Sequence, residues 1–100
     1  MAKQQHSIRE RERLFTNFPK HYKVIIYNDD FTTMDFVVKL LVEVFFKSES
    51  EATAIMLMVH EQGQGVVGLY SYDMAVSMTT RATTIARDAG YPLRIGYEPE

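Results

Sequence analysis

Six consecutive residues, Tyr22-Lys23-Val24-Ile25-Ile26-Tyr27, constrain this chain more than any other stretch. Apart from Lys23 they are β-branched or aromatic, and they read as a strand. A strand with one wet face would alternate apolar and polar residues. This one is apolar at successive positions after Lys23, so both faces need cover and the strand belongs in the centre of its sheet. It stops at Asn28, Asp29 and Asp30, then Phe31 and Thr32, and an apolar helix follows over Met34–Phe46. A turn needs polar residues, but three with such close hydrogen-bonding reach, set between two pieces of core, form an acidic corner.

The remaining elements follow from periodicity and caps. Thr32 precedes Asp35 by three, the spacing of an N-terminal capping box with Asp in the usual Glu place. Val37, Leu40, Leu41, Val44 and Phe45 recur at helical spacing. Val38, Val42 and Phe46 widen that stripe, so more than one face of the helix should be covered. Ser48 and Glu51 form a second capping box, predicting a helix from Glu49 to Gln62 with Gly63 as its stop. Ala54–Val59 is apolar throughout, which expects a helix deep in the core, or one with a face in the core and another lining a pocket. Gly65–Tyr70 reads as a short strand. Ser71 caps a third helix over Tyr72–Ala89, with Met74, Met78, Ala82, Ile85 and Ala86 on its inner side; Gly90 ends it, and Pro92–Tyr97 is the last strand. The order β-α-α-β-α-β describes an α+β fold, a three-stranded sheet covered by three helices.

Residues 1–20 differ in composition. Gln4, Gln5 and the run Arg9-Glu10-Arg11-Glu12-Arg13 offer little to bury, and beyond Met1 and Ala2 the apolar residues are Ile8, Leu14, Phe15 and Phe18. They read as a flexible, solvated N-terminal extension, with Pro19 marking entry to a core domain over 21–100.

Several function classes drop out. A formal charge of −2 gives no reason to expect a nucleic-acid partner, which wants a basic excess. The absence of cysteine removes disulfides, thiolate metal sites and a cysteine nucleophile. There is no secretory signal, and no stretch nears the ~20 apolar residues of a membrane span, so a cytoplasmic protein without membrane contact is expected. No G-x-S-x-G elbow occurs, and Gly63, Gly65 and Gly68 fit no phosphate-loop spacing. His60-Glu61 begins an H-E-x-x-H pattern, but residue 64 is Gln. A metal-dependent hydrolase using Asp29, Asp30 and His60 is a rival reading, although no second histidine stands at ligand spacing. Neither an enzyme nor a cofactor is expected.

Taken alone, His60 is a boundary histidine and the methionines are core filling. If the first strand and second helix are neighbours, however, His60 joins Asn28 and Asp30 around one small site. Carboxylate and amide oxygens and a neutral imidazole nitrogen all accept hydrogen bonds, and an ammonium group has three donors to give. Each such bond to a charged group contributes roughly 1.5–3 kcal/mol. Met34 and Met56, unbranched and polarizable, suit an adjoining apolar pocket for side chains of varied shape.

Three blocks now stand in order: Asn28-Asp29-Asp30-Phe31-Thr32-Thr33-Met34, then Met56-Leu57-Met58-Val59-His60-Glu61-Gln62-Gly63, then Pro92-Leu93. Together they resemble ClpS, the adaptor family that delivers N-degron substrates to the Clp AAA+ protease. The resemblance covers about Tyr22 to Leu93. It implies binding of a substrate's free α-amino group by Asn28, Asp30 and His60, with Asp29 supplying local structure. It implies a pocket of Thr32, Met34, Val37, Met56, Val59 and Leu93 for a first residue of Leu, Phe, Tyr or Trp, with Met34 screening out β-branched side chains. The implied partners are a Clp ATPase, ClpA- or ClpC-like, with ClpP, and N-degron proteins and peptides. Thr33 departs from the family's usual proline. Asp73 matches an acidic ATPase-docking position, whereas Met78 stands where the family has a basic residue. The ribosomal stalk C-terminal domain has a similar element order and is the alternative reading, but it lacks the acidic corner and the paired histidine.

Overall fold

A computed structural model describes residues 21–100; the extension read over residues 1–20 lies outside the described residues. The elements are β1 (Tyr22–Tyr27), α1 (Met34–Glu43), α2 (Glu49–Gln62), β2 (Gln64–Tyr70), α3 (Tyr72–Asp88) and β3 (Arg94–Pro99). Their order is the expected one, and the sheet runs β2-β1-β3 with both pairings antiparallel. The all-apolar strand is therefore central. Val24 and Ile26 are fully buried in a core shared with Val37, Leu40, Leu41, Val44 and Phe45 of the α1 region, Val59 of α2 and Ala75, Met78, Ala82 and Ala86 of α3. Burying a Val, Leu or Ile contributes about 1.5–3 kcal/mol, so this cluster carries most of the fold's stability.

Ile25 points to the other face and is 4% exposed. Val66 pairs with it across β2, and Tyr27 follows two residues on, with the Arg94 guanidinium 4.5 Å from the Tyr27 ring centre. A bulge between Val24 and Ile25 inserts Val67, which turns inward to join the core.

The caps hold with one correction. Ser48 and Glu51 make both bonds of their box, and these hydrogen bonds, led by that from the Ser48 side chain, hold the Glu51 carboxyl below the usual carboxylate range. Ser71 caps α3. The cap of α1 is Thr33, whose hydroxyl accepts from the Phe36 N–H at 3.2 Å, and not Thr32. Thr32 turns the other way, toward Asp29. Gly63 and Gly90 close their helices at φ 86° and 84°, the left-handed backbone that favours glycine.

Two expectations about burial fail, on α1 and on α3. The second apolar face of α1 is not covered: Val42 is 36% exposed, and Phe46, past the end of the helix, is 74% exposed. Helix α2 takes the second of its two expected arrangements: Ala52 and Val59 are buried in the core, Met56, Val59 and His60 line a cavity, and Leu57 and Met58 face outward. A three-stranded sheet is too narrow to bury every apolar helix face laid on it. On α3 the inner row is Ala75, Met78, Thr79, Ala82 and Ala86, leaving Met74 half exposed. The last strand starts at Arg94, not Pro92, because the segment before it is held as a loop. Arg87 donates to the carbonyls of Tyr91 and Leu93 at 3.1 and 2.7 Å.

The close approach of β2 to α2 depends on Gly65. A Cβ there would lie 2.9 Å from Val59 Cγ2 and 3.5 Å from the Ile55 carbonyl oxygen. Val59 is stiff at χ1 and cannot swing aside. Gly65→Ala should therefore lower stability by about 1–3 kcal/mol in urea denaturation, the usual cost of overpacking. An unchanged midpoint would show that α2 is not pressed on β2 at this point.

Candidate functional site

The acidic corner starts where β1 ends. Tyr27 pairs with Gln64 in the sheet register, and the next backbone group, the Asn28 N–H, donates to the Gly63 carbonyl at 2.9 Å. Gly63 is the stop of α2, one turn beyond His60. Strand pairing and helix capping thus bring the corner and the histidine together.

 Between Asn28 and His60 lie 31 residues, and between Asn28 and Gly63 lie 34, so the juxtaposition is a product of the fold.

Asp29 builds the turn itself. Its Oδ1 accepts from the N–H groups of Phe31 and Thr32 at 2.9 and 2.7 Å, and its Oδ2 accepts from the Thr32 hydroxyl at 2.7 Å. Partial burial alone would raise this carboxyl's pKa. The Thr32 and Phe31 hydrogen bonds, with a contribution from the positive charge of Arg87, outweigh that and hold it below the usual value. Asn28 and Asp30 are exposed beside it.

A cavity of about 370 Å³ opens at this corner. Asn28, Asp29, Asp30 and His60 line it together with Thr32, Met34, Val37, Met56 and Val59. Its walls therefore combine hydrogen-bond acceptors with apolar side chains: Val37 and Val59 are buried at its floor, and Met34 stands 44% exposed. Such a wall can take a cationic group and an apolar group of one ligand at once. Among the described residues no three His, Cys, Asp or Glu side chains gather as a metal site. Asp29, which the hydrolase reading needs as a ligand, has both oxygens engaged by the turn.

Two of the sequence-derived residues lie elsewhere. Leu93 is 1% exposed in the core, and its side chain is not among those lining the cavity. Asp73 is exposed in the first turn of α3, away from the cavity lining. Met78 is 8% exposed, so this position belongs to the core and offers no surface for docking. The sequence reading left Phe31 and Thr33 out of the pocket, yet both line it. Phe31 could have been found as a large aromatic within a polar turn. Tyr91, which stacks on Phe36 at 4.6 Å and buttresses the start of α1, gave no local signal.

The family model described as ATP-dependent Clp protease adaptor protein ClpS matches residues 17–96. The chain belongs to the ClpS family. The ATP-dependent Clp protease adapter protein ClpS of Acetivibrio thermocellus is 52% identical over 82 residues, covering 82% of this chain and 83% of that protein. The ClpS of Deinococcus radiodurans is 46% identical, covering 89% and 79%. Among solved structures, Agrobacterium tumefaciens ClpS2 bound to L-phenylalaninamide superposes with a TM-score of 0.79 at 39% identity, covering 82% of this chain and 99% of that one. A ClpS chain is an adaptor of the Clp protease and not an enzyme. Thr33, at the mouth of the cavity, also serves as the N-cap of α1.

Removing the Asp29 carboxylate should loosen the corner. Its folded pKa lies below 3.8, so its stabilisation is complete above that pH and is lost as the pH falls through the lower, folded value. Asp29→Ala is expected to cost about 1 kcal/mol at pH 7, a figure reduced for partial exposure. Thermal melts of both proteins should converge as the pH drops from 4 toward ~2. A gap that persists undiminished would mean that the carboxylate's charge is not what orders the turn.

Proposed function

We propose that this adaptor binds the free α-amino group and bulky first side chain of N-degron proteins and hands them to a Clp AAA+ ATPase, ClpA- or ClpC-like, working with ClpP in the cytoplasm. The observation that carries the proposal is the shared cavity: Asn28, Asp30 and His60 open onto the same space as Met34, Val37, Met56 and Val59. Asn28, Asp30 and the His60 imidazole offer acceptors for the three N–H bonds of an ammonium group. The apolar wall takes Leu, Phe, Tyr or Trp, and burying such a side chain is worth about 1.5–3 kcal/mol. Neither half alone gives tight binding, so amine and side chain are read jointly.

The bound molecule in the Agrobacterium ClpS2 structure supports this reading. L-Phenylalaninamide carries a free amine and an aromatic side chain, and its carboxyl is masked as an amide. It is the first residue of a peptide with the rest of the chain removed. Two carboxylates at the corner would repel a free amino acid's own carboxylate and favour this amide. Exposed Asp73, on the first turn of α3, is proposed as an ATPase contact.

Peptides beginning with Leu, Phe, Tyr or Trp should bind at micromolar or lower Kd in fluorescence anisotropy, and their N-acetylated forms should not bind. Equal binding of the two forms would overturn the proposal. His60→Ala removes one acceptor and should weaken binding of these peptides about tenfold or more, the loss of one hydrogen bond to a charged group. Unchanged affinity in that variant would remove His60 from the amine site. Met34→Ala should admit peptides beginning with Ile or Val; unchanged selectivity would make Met34 a packing residue only.

A further inference from the structure

A second cavity, of about 790 Å³, lies between α1 and α2, and Met56 lines both it and the first. Val38 and Val42 form its apolar base. Asp35, Lys39, Glu43, Lys47 and Glu49 surround them with charges of both signs. Met34, Val38 and Val42 recur every four residues along one side of α1, so the apolar strip begins at the first cavity and continues along the second. Val42 is 36% exposed and Met34 44% exposed, and no other described element covers the strip.

Taking the proposed function as its basis, we infer that this groove receives the residues that follow a substrate's first residue. A substrate's chain continues from its first peptide bond, where L-phenylalaninamide stops, and Met56 joins the two spaces. From Met34 to Glu43 the helix advances about 14 Å. An extended chain covers that distance in about four residues, so the groove takes residues two to five. Its apolar base and mixed-sign rim suit uncharged, aliphatic side chains and give no preference for a net charge. The first cavity decides whether a chain is bound; the groove grades how tightly.

The test uses the full chain and two peptides with the same Leu terminus, one with aliphatic residues at positions two to five and one with Gly and Ser there. Anisotropy should show the aliphatic peptide binding about tenfold tighter. Val42→Asp should abolish that difference while leaving L-phenylalaninamide affinity unchanged, which also reports that the fold survives. Val42→Thr, nearly isosteric, should reduce the difference partway. Equal affinity for the two peptides, with L-phenylalaninamide still bound, would overturn this inference alone. Failure to bind L-phenylalaninamide or either peptide would overturn both it and the proposed function. If the wild type self-associates in sedimentation equilibrium and Val42→Asp is monomeric, the groove is an interface between copies and the inference fails.

Discussion

One backbone hydrogen bond joins the two halves of the site. The Asn28 N–H meets the carbonyl of Gly63 at 2.9 Å, at the point where β1 ends and α2 has just stopped. The bond extends the β1–β2 ladder by one step and ties the acidic corner to the helix that bears Met56, Val59 and His60. It depends in turn on the left-handed backbone of Gly63 and on the space left by Gly65, where β2 passes Val59. Two glycines and a strand register set the spacing between the polar and apolar parts.

Within the corner the two acids have different work. Asp29 faces inward to Thr32 and Phe31, and its carboxylate replaces the helix and sheet partners that those N–H groups lack. Asp30 is exposed and makes no comparable bonds within the turn. Rigidity comes from the first, leaving the second to the cavity. A receptor already ordered before its ligand arrives avoids part of the entropy cost of binding.

Much of the fold was legible because local rules agreed. The apolar run at Val24–Ile26 demanded a central strand, and Ser48 with Glu51 marked the start of α2. Gly63 marked its end. What was misread depended on tertiary area. The rows Val38–Val42 and Leu57–Met58 look like core in sequence, but a narrow sheet cannot cover them. Thr32 and Thr33 are both plausible caps by spacing; Asp29 takes the first, which leaves the second for the helix. Of the cavity, the corner and His60 were visible as chemistry, and their meeting was conditional until the strand pairing was known. The Arg87 bonds that hold the loop before Arg94 leave no trace in periodicity, so the last strand was read two residues too early.

The sheet order carries a consequence for synthesis. Its middle strand is the first to be made, and one of its edges is the last. During translation β1 can pair with β2 once α2 has emerged, but its other edge stays open until Arg94–Pro99 arrives. The loop at Tyr91 that props α1 comes just as late. A nascent chain therefore holds an unfinished, sticky strand through most of its production.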